Sequence, residues 1–136
     1  MVEIVRQLLF ATFPLALAYA AASDLLTMTI ANKLVAAMVV AFVLWAPLAG
    51  LPWSEIVLHF AAGAVVIAIG FAFFAAGWIG GGDAKFAAAV ALWLGWSRLF
   101  DFAIYAALFG GALTLLLLSF RLWVLPATIL SSFRRD

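Results

Sequence analysis

Residues 55–76 read EIVLHFAAGAVVIAIGFAFFAA, apolar throughout except for Glu55 and His59. A helix needs about 20 such residues to cross the hydrocarbon layer of a bilayer. The short segments of alternating apolar and polar residues that mark a membrane β-barrel are missing here, so the run reads as helix. Lipid offers the backbone no hydrogen bonds, and a helix satisfies its own. The rest of the chain has the same character. Of 136 residues, 70% are hydrophobic and 10% charged, with a mean hydropathy of +1.29. Soluble chains run at about 45–50% apolar and about 25% charged. Seven Lys/Arg and six Asp/Glu are too few to cover a water-soluble surface, and so apolar a chain is not a disordered one. The class is an all-α, polytopic transmembrane bundle. At about 20 residues per crossing, it has room for five or six helices and none for a soluble domain. Residues 1–136 are therefore read as a single transmembrane domain.

The net charge of +1 shows no basic stripe, so no nucleic acid partner is expected. The absence of cysteine removes disulfides, thiol catalysis and thiolate metal sites. No cluster of His and carboxylates has metal-ligand spacing, and no Gly-rich segment follows a strand as a nucleotide site requires. No metal or cofactor is expected.

Rare charges and Gly/Pro clusters divide the apolar blocks. Helices are predicted over about Gln7–Ser23, Lys33–Ala49, Glu55–Ala76, Ala84–Trp96 and Asp101–Phe120, giving five crossings. The tail, Arg121–Asp136, holds a short apolar stretch, Leu122–Leu130, interrupted by Pro126. It is read as interfacial. Ala18-Tyr19-Ala20 has the small residues of a signal cleavage site, but Glu3 stands beside Arg6 where a signal peptide carries net positive charge, so the first block is read as a retained helix. With the N-terminus outside, Lys33, Lys85, Arg121, Arg134 and Arg135 fall on one face and Arg6 and Arg98 on the other. This bias makes the first face cytoplasmic. Trp45, Trp53, Trp93 and Trp96 then gather near the outer interface and Trp78 and Trp123 near the inner one.

In so apolar a chain each carboxylate is informative, because intramembrane ionisable groups are costly. Glu3, Glu55, Asp101 and Asp136 sit at termini or helix-end turns, Asp101 as a partner of Arg98 or a cap. Asp24 and Asp83 differ. Asp24 closes the first helix and Asp83 opens the fourth, so two complete crossings return both to one face. The fourth helix, at about 13 residues and about 20 Å, is shorter than the hydrocarbon layer, which would leave Asp83 recessed. Ahead of it lies Gly77-Trp78-Ile79-Gly80-Gly81-Gly82, where consecutive glycines permit positive φ and leave room for another backbone. Two crowded carboxyls hold one proton between them, so that one activates water while the other donates to a carbonyl or a leaving nitrogen. The alternatives are a pair of helix-end residues, Asp24 near Lys33 and Asp83 an N-cap near Lys85, or a cation or proton pathway.

Gly80-Gly81-Gly82-Asp83-Ala84-Lys85 resembles the Gly-x-Gly-Asp-x-Lys signature of the type IV prepilin peptidases, membrane aspartic proteases that cut the leader from pilin precursors. Asp24-Leu25-Leu26-Thr27-Met28-Thr29-Ile30-Ala31-Asn32 resembles that family's other motif, an Asp followed at fixed distance by Ile-Pro-Asn, with Ala31 in place of Pro. The resemblance runs from about Ala16 to Leu99. It implies that Asp24 and Asp83 are catalytic and that Gly80 and Gly82 shape the loop. Asn32 and Lys85 occupy motif positions as substrate-binding or loop-shaping residues whose roles stay open.

Classical bifunctional members carry a cytoplasmic insert, often with zinc-binding cysteines, associated with methylating the new N-terminus. Here the segment from Asp24 to Asn32 is nine residues long and has no cysteine. The chain thus looks like the compact, peptidase-only form serving Flp or tight-adherence pili. The resemblance implies an endopeptidase of the bacterial inner membrane with its site toward the cytoplasm. It would remove a basic leader from a prepilin or pseudopilin whose apolar helix lies in the surrounding lipid. The rivals are a small transporter or proton-conducting subunit and a structural subunit of a pilus or secretion assembly. Gly63, Gly70 and Gly77 form a seven-residue stripe read mainly as internal packing. His59 is read as a buried or interfacial polar residue on the far side from both aspartates.

Overall fold

The computed structural model describes the backbone of residues 1–133 and the side chains of residues 1–123. Among these the chain is all-helical, with α1 at Val2–Thr27, α2 at Asn32–Leu48, α3 at Trp53–Ala75 and α4 at Gly81–Phe133. α1, α3 and the Gly81–Trp123 part of α4 are long and apolar enough to cross a membrane, and α2 is a shorter apolar helix. α4 is broken at Gly95, with φ 67° and ψ −179°. The boundary expected between Trp96 and Asp101 therefore falls earlier. Asp101 lies inside the helix that continues to Phe133 and does not cap one. Helical backbone also runs through the tail that was read as a separate interfacial stretch. Arg134, Arg135 and Asp136 lie outside the described residues.

The chain divides into two units, Met1–Leu99 and Phe100–Asp136. In the first, the half-helix 81–94 is the central element. Ala88, Ala89, Val90, Ala91, Leu92 and Trp93 are all buried, as befits a helix apolar on every side. Trp93 had been expected as an interfacial anchor, but its ring lies in the core. It stacks on Phe13 of α1 at 5.3 Å between centroids and meets Phe42 and Trp45 of α2 at 5.6 and 5.4 Å. Its indole N–H donates to the Met38 carbonyl at 2.9 Å, which gives the one polar atom of the ring a partner away from water.

On the other side of this half-helix, α3 approaches through glycine. A Cβ at Gly70 would lie 2.9 Å from the Ala84 Cβ, and one at Gly63 would lie 3.3 Å from the Ala88 carbonyl. Two members of the glycine stripe thus serve internal packing. Gly77 does something else: with φ 78° it ends α3 in a Schellman turn. Its N–H donates to the Phe74 carbonyl and that of Trp78 to the Phe73 carbonyl, and the Phe73 and Trp78 rings pack at 5.3 Å. Gly50, φ 77°, ends α2 through the same pair of bonds, to Pro47 and Ala46.

At Gly95 the break leaves the last carbonyls of the half-helix without intrahelical donors. His59 of α3 supplies one: its Nδ1–H donates to the Leu92 carbonyl at 2.7 Å, and its ring stacks on Phe42. The half-buried histidine is thus a cap for a broken helix, consistent with the structural role expected of it.

The second unit is helical through residue 133 and exposed along residues 100–123. Its apolar residues face outward on every side, Phe100, Leu108, Phe109, Leu115 and Phe120 among them. Thr114 and Ser119 turn their hydroxyls onto the carbonyls of Gly110 and Leu115, which keeps the polar groups of an exposed apolar helix paired.

Two sets of substitutions test this packing by thermal unfolding in detergent. Gly70→Ala forces a methyl into Ala84 and is expected to cost about 1–3 kcal/mol. Gly82→Ala meets nothing closer than 3.5 Å and is expected to be neutral or to gain up to about 1 kcal/mol of helix propensity. Gly95→Ala is expected to cost at least about 1–3 kcal/mol, since it combines a backbone conformation that L-residues avoid with a clash on the His59 ring, 2.8 Å away.

Candidate active site

α1 runs past Ser23 and places Asp24 in its last turn. The Asp24 carbonyl accepts the N–H of Met28 at 2.9 Å, and Met28 takes the left-handed conformation at φ 55°, ψ 27°. For a residue with a side chain this costs about 1–2 kcal/mol, and a ring of hydroxyls holds it in place. Ser23 Oγ donates to the Thr29 carbonyl at 2.9 Å, and Thr27 Oγ1 to the Ser23 carbonyl at 2.7 Å. That leaves the Thr29 hydroxyl to donate to Thr27 Oγ1, 2.9 Å away. Sequence reading passed over these three residues. Their signal was a cluster of hydroxyls, Ser23, Thr27 and Thr29, beside a carboxylate in an otherwise apolar chain.

Asp83 is the third residue of α4, not its N-cap. Its Oδ2 lies 3.3 Å from where a Cβ on Gly80 would stand, so the carboxylate folds back over Gly80. Gly82 lies beside the other motif: a Cβ there would make ordinary contacts, 3.5 Å from the Ile30 carbonyl and 3.8 Å from the Ile30 Cβ. The positive-φ glycines of the described residues are Gly50, Gly77 and Gly95. Gly80, Gly81 and Gly82 are not among them, so of the two uses expected of the glycine run the left-handed backbone is not taken up.

The two motif segments meet at a second point. Lys85 Nζ donates to Asn32 Oδ1 at 3.4 Å, across a sequence separation of 53 residues. Asp24, Asn32, Asp83 and Lys85 are all exposed. Among the described residues the ion pair is Arg6–Glu3, and neither Lys33 nor Lys85 pairs with Asp24 or Asp83. The helix-end alternative, in which lysines neutralise the two acids, lacks those contacts. A positive helix N-terminus remains as the electrostatic neighbour of Asp83.

The arrangement is that of a helical membrane protein with two carboxylate-bearing segments joined at one end of its bundle. Over residues 11–115 the chain matches the type IV leader peptidase family, and it belongs to that family, the membrane-bound prepilin peptidases. Neither a curated protein nor a solved structure matches it.

Thr27→Val keeps the shape of the side chain and removes the hydroxyl that links Ser23 to Thr29. It is expected to cost about 1–2 kcal/mol, read by unfolding in detergent, with faster hydrogen exchange at Met28 than in the wild type.

Proposed function

We propose that the chain is an aspartic endopeptidase of the bacterial inner membrane that removes the basic leader from Flp-like type IV prepilins at the cytoplasmic face. Asp24 and Asp83 are its catalytic pair. The observation that carries this reading is the junction of the two motif segments, Ile30 against Gly82 and Asn32 bonded to Lys85, in a chain of the leader peptidase family. The ionised carboxyl takes a proton from water as the water oxygen bonds to the scissile carbonyl carbon. The protonated carboxyl donates to the carbonyl oxygen, and a proton then passes to the leaving nitrogen as the C–N bond breaks. The substrate's apolar helix stays in lipid and presents its cytoplasmic end to the pair.

In this reading residues 1–136 act as one peptidase domain that crosses the membrane five times, with the cation bias holding the Lys33 and Lys85 end inside. A nine-residue, cysteine-free connection between Asp24 and Asn32 has no place for a methylating insert, so the cleaved pilin is left unmethylated.

The test is co-expression with a candidate Flp-like prepilin, scored by the mobility and N-terminal mass of the product. Wild type is expected to remove the leader. Asp24→Asn and Asp83→Asn are each expected to slow removal about 10²–10⁴-fold, the range for loss of a general acid or base. Persistent cleavage in either single variant sinks the paired mechanism.

A further inference from the structure

We infer that Asn32 and Lys85 form a positioning bridge that holds the Asp24 segment against the Asp83 segment, an inference that rests on the catalytic reading above. Lys85 follows Asp83 by two residues, which on an α-helix turns it about 200° around the axis. That side of α4 faces away from the carboxylate, and Lys85 lines an apolar groove there with Val35, Val39, Ala88 and Ala89. From there the ammonium reaches Asn32 Oδ1 at the first residue of α2, and no carboxylate pairs with it among the described residues. Lys85 is thus not the counter-ion of Asp83. It ties the start of α4 to the start of α2, and α2 is joined to Asp24 by the segment that Ser23, Thr27 and Thr29 lock.

The bridge complements the Gly82 contact. Gly82 packs beside the Ile30 backbone, but dispersion between a glycine and one carbonyl is weak and undirected. The 3.4 Å bond from the Lys85 ammonium to Asn32, one turn further along α4, adds direction. Asp24 and Asp83 must share a water and one peptide bond, and a misplacement of about 1 Å costs about a hundredfold in rate. The bond therefore acts on turnover through the separation of the two segments. Substrate affinity is left alone.

The experiment combines leader-cleavage kinetics with a distance measurement. Asn32→Leu and Lys85→Met are each expected to lower kcat about tenfold or more with KM nearly unchanged, and the double variant is expected to be no slower than either single one. Asn32→Asp, whose carboxylate still accepts from Lys85, is expected to retain kcat within about twofold of wild type. Losses that add, or a loss confined to Lys85→Met and expressed in KM, overturn the bridge in favour of an ammonium that binds substrate.

The chain has no cysteine, so Leu26→Cys and Trp78→Cys accept spin labels at two exposed positions on the two segments. The interlabel distance distribution is expected to broaden in Asn32→Leu and Lys85→Met and to stay narrow in Asn32→Asp. An unchanged distribution in both disrupted variants overturns the bridge whether or not a prepilin is cleaved. If the wild type cleaves none, the catalytic reading falls while the distances still decide the bridge. Where Lys85→Met does not fold in detergent, Lys85→Gln, one bond too short to reach Asn32, carries the same comparison.

Discussion

The first unit depends on the burial of one short helix, residues 84–93, among α1, α2 and α3. Half of its residues are Ala, which costs little side-chain entropy to bury and lets neighbouring helices come close. Lipid is as apolar as any of these side chains, so no hydrophobic force holds the helices together. Shape and hydrogen bonding must do so. Gly70 against Ala84 supplies the shape on one side. On the other, Trp93 adds stacked and edge-on aromatic contacts and an indole hydrogen bond to α2.

The same helix is bounded at both ends by constraints that set where it stops. At one end Gly95 takes a backbone conformation closed to other residues, and His59 satisfies a carbonyl that the break exposes. At the other the Asp83 carboxylate folds back over Gly80, and Ile30 packs beside Gly82. A half-helix of residues 81–94 spans about 21 Å, less than the hydrocarbon layer of about 30 Å.

Much of this was legible before any coordinates. The apolar run 55–76 meant a membrane helix, and two motifs pointed to the peptidase family. Other features were misread for definite reasons. Trp93 looked interfacial because tryptophan near a helix end usually is, whereas Phe13, Phe42 and Trp45 converge on it from far along the chain. Three glycines suggested positive φ as well as room for a neighbour, and their backbone does not take the positive φ. The role of Lys85 stayed open, because the partner it finds, Asn32, lies 53 residues away in the chain.

Composition, scarcity of charge and motif spacing by themselves determined the membrane class, the helical fold and the family, because each follows from local cost: charge in lipid is expensive and unpaired backbone is forbidden. Only the tertiary structure decided which residue meets which: Gly63 and Gly70 with α4, His59 with Leu92, Asn32 with Lys85. Helices that are apolar on all sides carry no polar face to set their rotation about their own axes. That rotation is fixed by close contacts and single hydrogen bonds between residues far apart in the chain, which no local reading of the sequence contains.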